Sequence, residues 1–373
     1  MTGALDGLKV ADFSWVGAGP RATKDLADNG ARVVKIESAR RLDLGRRSPP
    51  FAGGDARNPD ASVFFAQTNT SKQSVTINLA HPRGVAVAKR LVAWADVVVE
   101  NFGPGYMERI GLGWDNLQDI RPGIILASVS VAGRTGPMAG FRGYGNSAAA
   151  WSGHCDMTGW PGSEPHMPPF AYGDVVAPMM LTVAILSALE HRDRTGEGVW
   201  VDVSQIEAMV QVAGDLFAEL PDEKPANDDP EMSPHGVFPC RDGQWIAIAC
   251  ETDAQRAALA GIIGEGPPEA ATAARNAAEL EAALVAAGVP AAVVLDGMGL
   301  SEHPALNATG HFVRVDHPVI GPAKMPAPPY VLPDTPSHVG PSPCLGADNA
   351  AVFAEIGLTE AEMVELLAEG ALA

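Results

Sequence analysis

Gly173-Asp174 lies between a proline-rich loop, Pro161 to Pro169, and an apolar run that continues to Leu189. An aspartate at the mouth of a buried helix is by default an N-cap, its oxygen accepting from the helix's first free amides. The same carboxylate, held near apolar surface and backbone donors, can act as a covalent nucleophile. The dipeptide alone leaves both open. A second pattern is Gly17-Ala18-Gly19-Pro20-Arg21-Ala22, which follows a strand-like segment, opens a helical one, and has Glu37 closing the next strand. That is the spacing of a dinucleotide fingerprint. Pro20 has no amide hydrogen where a phosphate cradle needs donors, although proline also suits the first position of a helix. Just beyond stand Arg40-Arg41 and Arg46-Arg47, either a grip for a nucleotide phosphate or a solvated loop.

Other chemistries find no support. The nine histidines contain no HExxH and no pair four apart, so metal ligation is not expected. Neither GxSxG nor a Walker loop occurs. His154 and Cys155 are neighbours in one short segment, where adjacent residues rarely face each other. Cys155, Cys240, Cys250 and Cys344 form no CxxC, and no secretory apolar stretch follows Met1, so a disulfide framework is not expected and the cytoplasm fits best.

The scaffold that must position these groups is long enough for two or three domains: 373 residues, 46% apolar and 19% charged. A formal charge of −19 repels polyphosphate chains and anionic lipid, so neither nucleic acid nor membrane is an expected partner, and an anionic ligand needs a local basic patch. The longest apolar stretch, Val175 to Leu189, is shorter than the ~20 residues that span a bilayer and holds Pro178, which predicts a buried helix. Lys9 to Ser14, Arg32 to Glu37, Asp96 to Asn101, Ile124 to Ser130 and Val199 to Val203 are apolar strand candidates. Helical patterns lie between them, at Ala22 to Asn29, Gly84 to Ala95 and Ala177 to Arg194, with another at Ser204 to Leu220. Repeated βα units predict a doubly wound parallel sheet. From Pro221 to Pro234, four prolines among charges read as an exposed linker. Beyond it, strands at Gln244 to Cys250 and Ala291 to Leu295 flank an Ala-rich helical stretch, Asp253 to Ala287. The Pro-rich passage His317 to Pro343 is expected to form no regular sheet, and a helix over Thr359 to Glu369 closes the chain.

Read in order, LDGLKVADFSWVGAGPRATKDLADNGARVVKIE, TNTSKQSVTINL, VENFGPGYMERIGLGWDNL, GYGNSAAAWSG, YGDVVAPMM and LEHRDRTGEGVWVDVSQIEA resemble the family III CoA-transferases, the formyl-CoA and carnitine CoA-transferase group, over nearly the whole chain. The resemblance implies an α/β fold with a Rossmann-like, CoA-binding large domain over residues 1–220, completed by 320–373. It further implies a linker at 221–234, a small α/β domain at 235–319, and two chains interlocked in an obligate homodimer. Coenzyme A would lie along Val16, Gly17, Arg40, Lys72, Asn101, Phe102 and Arg109. It would arrive as the acyl-CoA substrate, with no permanently bound cofactor. The family nucleophile falls on Asp174, and Arg142, Tyr144 and Asn146 would line the acyl pocket or meet the carboxylic acid partner.

By the same resemblance, the expected reaction moves CoA between an acyl-CoA and a free carboxylic acid through an aspartyl anhydride and an enzyme-CoA thioester. The superfamily also holds α-methylacyl-CoA racemases, with a histidine thirty residues before the aspartate; here that position is Tyr144. A tyrosine, with a reference pKa of about 10, is a poor base at neutral pH, which favours transfer. Glu251, at a place resembling the racemases' accessory carboxylate, points the other way. A relative that binds acyl-CoA without catalysis is the third alternative. Departures from the pattern are the missing glycine-rich loop around Pro234 to Gly243, a shortened stretch between Asp253 and Gly288, Val175-Val176-Ala177 after Asp174, and Gly346-Ala347-Asp348-Asn349 in the tail. The donor and acceptor acids stay open.

Overall fold

The computed structural model describes residues 3–214, 224 and 226–373. The last positions expected to be helical, 215–220, and positions 221–223 and 225 of the expected linker lie outside the described residues. The chain divides into two compact units, Met1–Cys155 with Met167–Phe217 and Ala308–Ala373, and Asp156–His166 with Ala218–Asn307.

In the first unit six parallel strands, β1 (Lys9–Asp12), β2 (Arg32–Glu37), β3 (Gln73–Thr76), β4 (Val97–Glu100), β5 (Ile125–Ser130) and β6 (Trp200–Ser204), lie in the order β3-β2-β1-β4-β5-β6. Alternate residues feed two cores. Ala11, Val34, Ile36 and Val98 pack on one face with Val87 and Leu91 of helix Pro82–Trp94. Val10, Val33, Val97 and Val99 pack on the other, with Leu26 of helix Ala18–Asp28 and with Leu181 and Ile185 of helix Gly173–Thr195. Because both faces are covered, the strands read as unbroken apolar runs. The order reverses between β1 and β4, and a crevice opens there beyond the carboxyl ends of the strands, where ligands bind in such sheets.

Four strands escape the sequence pattern. Edge strand β3 is polar, and its outer amides are met by the tail: Ser74 N–H donates to Asp348 Oδ2 (2.8 Å) and Thr76 N–H to Asn349 Oδ1 (2.8 Å). The tail segment that departs from the family pattern therefore covers a sheet edge. β10 (Phe312–His317), which ends where the Pro-rich passage begins, forms an antiparallel pair with β11 (Gly321–Pro326), which lies inside that passage expected to hold no sheet. Each has a single partner, so Pro322 and Pro326 need no outward amide. This pair packs on Ala66 and Val339 in the first unit, whereas Phe312–His317 was expected in the small domain.

The second unit holds an antiparallel sheet, β7 (His235–Pro239), β8 (Trp245–Ala249) and β9 (Ala291–Val293), with β7 the fourth unforeseen strand. The Ala-rich stretch splits into helices Asp253–Ile263, Pro268–Thr272 and Ala277–Ala286, and Leu259, Leu280 and Leu284 pack on Ile246 and Ile248. All four cysteines are unpaired.

Candidate active site

Asp174 is set in the first turn of helix Gly173–Thr195, and its side chain does not cap that helix. Its oxygens are held from outside. Oδ1 accepts from Gln205 Nε2 at 2.7 Å and Oδ2 from the Gly145 N–H at 3.3 Å. Burial pushes the carboxyl above the usual aspartate range; the Gln205 and Gly145 hydrogen bonds and the more distant Arg21 oppose that shift. Close approach depends on glycine. A Cβ at Gly145 would stand 2.6 Å from the Asp174 nitrogen, and one at Gly17 3.1 Å from Cγ.

Gly17 is delivered by a strained turn. Val16, a β-branched residue, has φ 65°, a conformation that costs of order 1–3 kcal/mol and persists only where its surroundings impose it. Its N–H donates to Asp43 Oδ1 (2.9 Å), and Asp43 is paired with buried Lys35 at 3.0 Å. The loop after β4 is tied to the same turn, since Asn101 accepts from the Trp15 N–H and donates to its carbonyl, both at 2.7 Å.

Asp174 and Gln205 form part of the wall of a cavity of about 950 Å³ lying wholly in the first unit. Of the residues expected to serve the site, Val16, Gly17, Arg40, Asn101, Phe102, Arg109, Arg142, Tyr144 and Asp174 line this cavity. Arg41 joins them, but Arg46 is buried in a bidentate pair with Glu37 (2.7 Å each), so the two basic doublets have different jobs. Arg40, Arg41, Arg109 and Arg142 have no carboxylate partner among the described residues, and Arg41 and Arg109 stack on Trp15 and Tyr106 at 5.4 and 5.1 Å. Four guanidiniums without carboxylate partners thus gather positive charge on this wall in a chain of charge −19.

Two expected site residues are elsewhere. Lys72 is fully buried, paired with Asp12 (3.0 Å) and donating to the Pro20 carbonyl and Asn69 Oδ1 (2.9 Å each). Burial lowers its pKa to about 8 while that of Asp12, though raised by burial, is drawn down to about 2 by Lys72 and Lys35. It holds strand to helix and offers nothing to the cavity. Asn146 is exposed and does not line the cavity, because Gly145 rather than its neighbour faces Asp174. Glu251 belongs to the second unit, where its N–H donates to Gln255 Oε1 (2.8 Å). The dinucleotide pattern fails locally: Glu37 is saturated by Arg46 and by Ser74 Oγ (2.8 Å), leaving little acceptor capacity for a ribose. Burial pushes the Cys155 thiol up, and His154 Nδ1 engages Ser152 Oγ (2.9 Å). Gln205 is the site residue that sequence reasoning missed. Its one signal is position: the Ser204 cap, which accepts from the Glu207 N–H (3.2 Å), starts a helix at Gln205 directly after β6.

Comparison with known proteins converges on one family. Residues 5–271 and 267–349 match the model of CoA-transferase family III. The alpha subunit of the succinyl-CoA–L-malate CoA-transferase of Chloroflexus aurantiacus is 38% identical over 67% of this chain, and the match spans only 59% of that relative's length. The succinyl-CoA–D-citramalate CoA-transferase of the same organism is 31% identical over 98% of this chain and 97% of its own. The crystal structure of a CAIB/BAIF family protein from Brucella suis superposes with a TM-score of 0.87 at 29% identity, covering 95% of this chain and 100% of that one.

Proposed function

Because the chain belongs to CoA-transferase family III, we propose that it transfers coenzyme A from an acyl-CoA thioester to a free carboxylic acid, with Asp174 as covalent nucleophile. One observation carries this: a carboxylate held by neutral donors in the wall of a cavity that also presents four unpaired guanidiniums. The carboxylate attacks the thioester carbonyl, the C–S bond breaks, and CoA thiolate leaves behind a mixed anhydride. The thiolate then attacks Asp174 Cγ, breaking the bond to the bridging oxygen, so the donor acid departs and an enzyme-CoA thioester remains. An incoming carboxylate reverses both steps.

Arg40, Arg41 and Arg109 are proposed to meet the phosphates of CoA, with Trp15, Phe102 and Tyr106 as its aromatic bed. Val16, Gly17 and Asn101 shape the turn on which the thioester rests. Arg142 and Tyr144 are assigned to the acyl end. Since the relatives above are named for succinyl-CoA, CoA esters of dicarboxylic acids are the first donors to try, with Arg142 meeting the distal carboxylate.

A homodimer with interlocked chains in the cytoplasm belongs to the same proposal. In its support, helix Gly173–Thr195 leaves Met179, Val183 and Leu186 exposed as a stripe at helical spacing, an apolar face that a second copy would cover. Light scattering should then give twice the chain mass. The chemistry is tested by incubating the protein with succinyl-CoA and trapping with hydroxylamine, which should convert Asp174 to a hydroxamate; an Asp174→Ala variant that still exchanges CoA would sink it.

A further inference from the structure

We infer that Gln205 is a catalytic residue: its carboxamide N–H is the oxyanion donor when CoA thiolate attacks the aspartyl anhydride, and it fixes which oxygen of Asp174 is the nucleophile. This rests on Asp174 being the covalent nucleophile, as proposed above.

The two oxygens of Asp174 are not equivalent. Oδ1 sits 2.7 Å from Gln205 Nε2, a well-formed bond, while Oδ2 has only the 3.3 Å contact with Gly145. The more weakly held oxygen has the freer lone pair, so Oδ2 attacks and becomes the bridging atom of the anhydride. Oδ1 becomes the carbonyl oxygen of the acyl-enzyme. When thiolate adds to Cγ, the electron pair of the C=O bond moves onto Oδ1, directly against Gln205 Nε2. When the tetrahedral adduct collapses, the Cγ–Oδ2 bond breaks, the donor acid leaves with Oδ2, and the carbonyl re-forms at Oδ1. Charge thus appears and disappears at the atom the amide already faces, and a donor in place before the reaction needs no reorganisation.

The placement of Gln205 supports this role over a structural one. The side chain is buried, at 4% exposure, on the first position of helix Gln205–Val212, fixed from below by the Ser204 cap. Its orientation follows from chemistry, since an ionised carboxylate only accepts and the NH₂ end must face it. Its other end, Oε1, is buried without a hydrogen-bond partner among the described residues. Among the described residues the carboxamide therefore links Asp174 to nothing else. A buried amide kept for a single contact with a reacting atom serves that atom, and Oε1 is left to accept an N–H or O–H from the bound acyl-CoA.

Gln205→Leu removes the donor, and Gln205→Glu keeps the shape while removing it. Both are assayed in the full-length protein with succinyl-CoA and a panel of carboxylic acids, alongside calorimetric binding of free CoA. Gln205→Leu is expected to lower kcat about 10²–10³-fold, the usual cost of losing one oxyanion donor. The enzyme-CoA thioester should form and break down more slowly by the same factor, with the Kd for CoA unchanged. Gln205→Glu should fall at least as far and move the acidic limb of the pH profile upward, because a second carboxylate then faces the first; it decides the matter should the leucine variant not fold. A kcat within threefold of the parent in either variant overturns the assignment. So does a loss that appears equally in CoA affinity and thermal midpoint, which marks a merely structural side chain. If hydroxylamine leaves Asp174 of the parent protein unmodified, the covalent mechanism fails instead, whatever the Gln205 variants do.

Discussion

Replacing Gly145 by alanine should damage turnover much more than folding. The added methyl would lie 2.6 Å from the Asp174 nitrogen, 2.8 Å from its Cγ and 2.9 Å from Oδ2, all well inside contact distance. Two of these atoms belong to the reacting carboxyl and one to the backbone that carries it, so the clash is relieved only by moving the nucleophile or the Tyr144–Gly145 turn. Relief by about 0.5–1 Å breaks the 3.3 Å bond from the Gly145 N–H and swings Oδ2 off line. A misplacement of that size costs about 10²-fold in rate, and overpacking costs about 1–3 kcal/mol in stability. Gly17→Ala brings a Cβ to 3.1 Å from Cγ and only tightens the contact, so its effect should be smaller, about tenfold. Gly140→Ala, where an added Cβ meets nothing within 4 Å, is the control and should be silent. CoA exchange followed with an acyl-CoA donor, together with thermal melts, ranks the three. Parental kcat in a folded Gly145→Ala protein, or a Gly140→Ala defect as large, would refute the role given to close approach.

Asp174→Asn should be more stable than the parent at neutral pH. The folded carboxyl has a pKa above its unfolded value, so the parent's ionised form carries a burial penalty that vanishes as pH falls through that raised pKa; the difference in denaturation midpoint between the two proteins should shrink toward acid. The same shift places the acidic limb of kcat above the ordinary aspartate range, and a limb at or below that range would contradict it. Arg109→Ala and Arg40→Ala should each raise KM for acyl-CoA about tenfold with kcat nearly unchanged, since the phosphates keep their charge through the reaction; loss confined to kcat would argue against phosphate contacts. Lys72→Met should behave in the opposite way, lowering stability by about 3 kcal/mol because buried Asp12 loses its ion-pair partner and keeps only Ser14, Thr23 and the field of Lys35, with KM intact in whatever protein folds.

The sheet was legible because strands covered on both faces leave continuous apolar runs, and β2 is found at the residues expected, Arg32–Glu37. Strands escaped where the apolar run is missing: β3 is buried but polar, closed by side chains of the tail, and β11 is proline-bearing with one neighbour. At the site, sequence shows charge but not burial. Lys72, Arg40 and Arg46 look alike as letters, yet two are locked to carboxylates and one is free in the cavity wall. Asp174 on its residues alone reads by default as an N-cap; the missing cap bond and the contacts with Gly145 and Gln205 separate the two roles. Gln205 has no chemical signature in a sequence, because a neutral amide becomes functional only through what it faces.

The separation of charges in this unit follows from the chemistry it is proposed to perform. A cation at about 4 Å from Asp174 would stabilise the free carboxylate by several kcal/mol at an effective dielectric of about 20, and all of that would be lost when the carboxylate becomes a neutral anhydride. It would raise the barrier. A neutral amide loses little, because it bonds the carboxylate before the reaction and the carbonyl after it. The fully buried cations Lys35, Lys72 and Arg46 are each tied to a carboxylate, Asp43, Asp12 and Glu37 in turn, and the one cation whose field reaches Asp174, Arg21, makes no hydrogen bond to it. Arg40, Arg41, Arg109 and Arg142 stand on the cavity wall, where the phosphates of a CoA ester would keep their charge from first bond to last. Moving one of them inward should therefore slow the enzyme: Ser130→Arg, at a buried cavity-wall hydroxyl without a partner among the described residues, is expected to lower both the pKa of Asp174 and kcat. A faster enzyme would show that charge near the nucleophile helps after all.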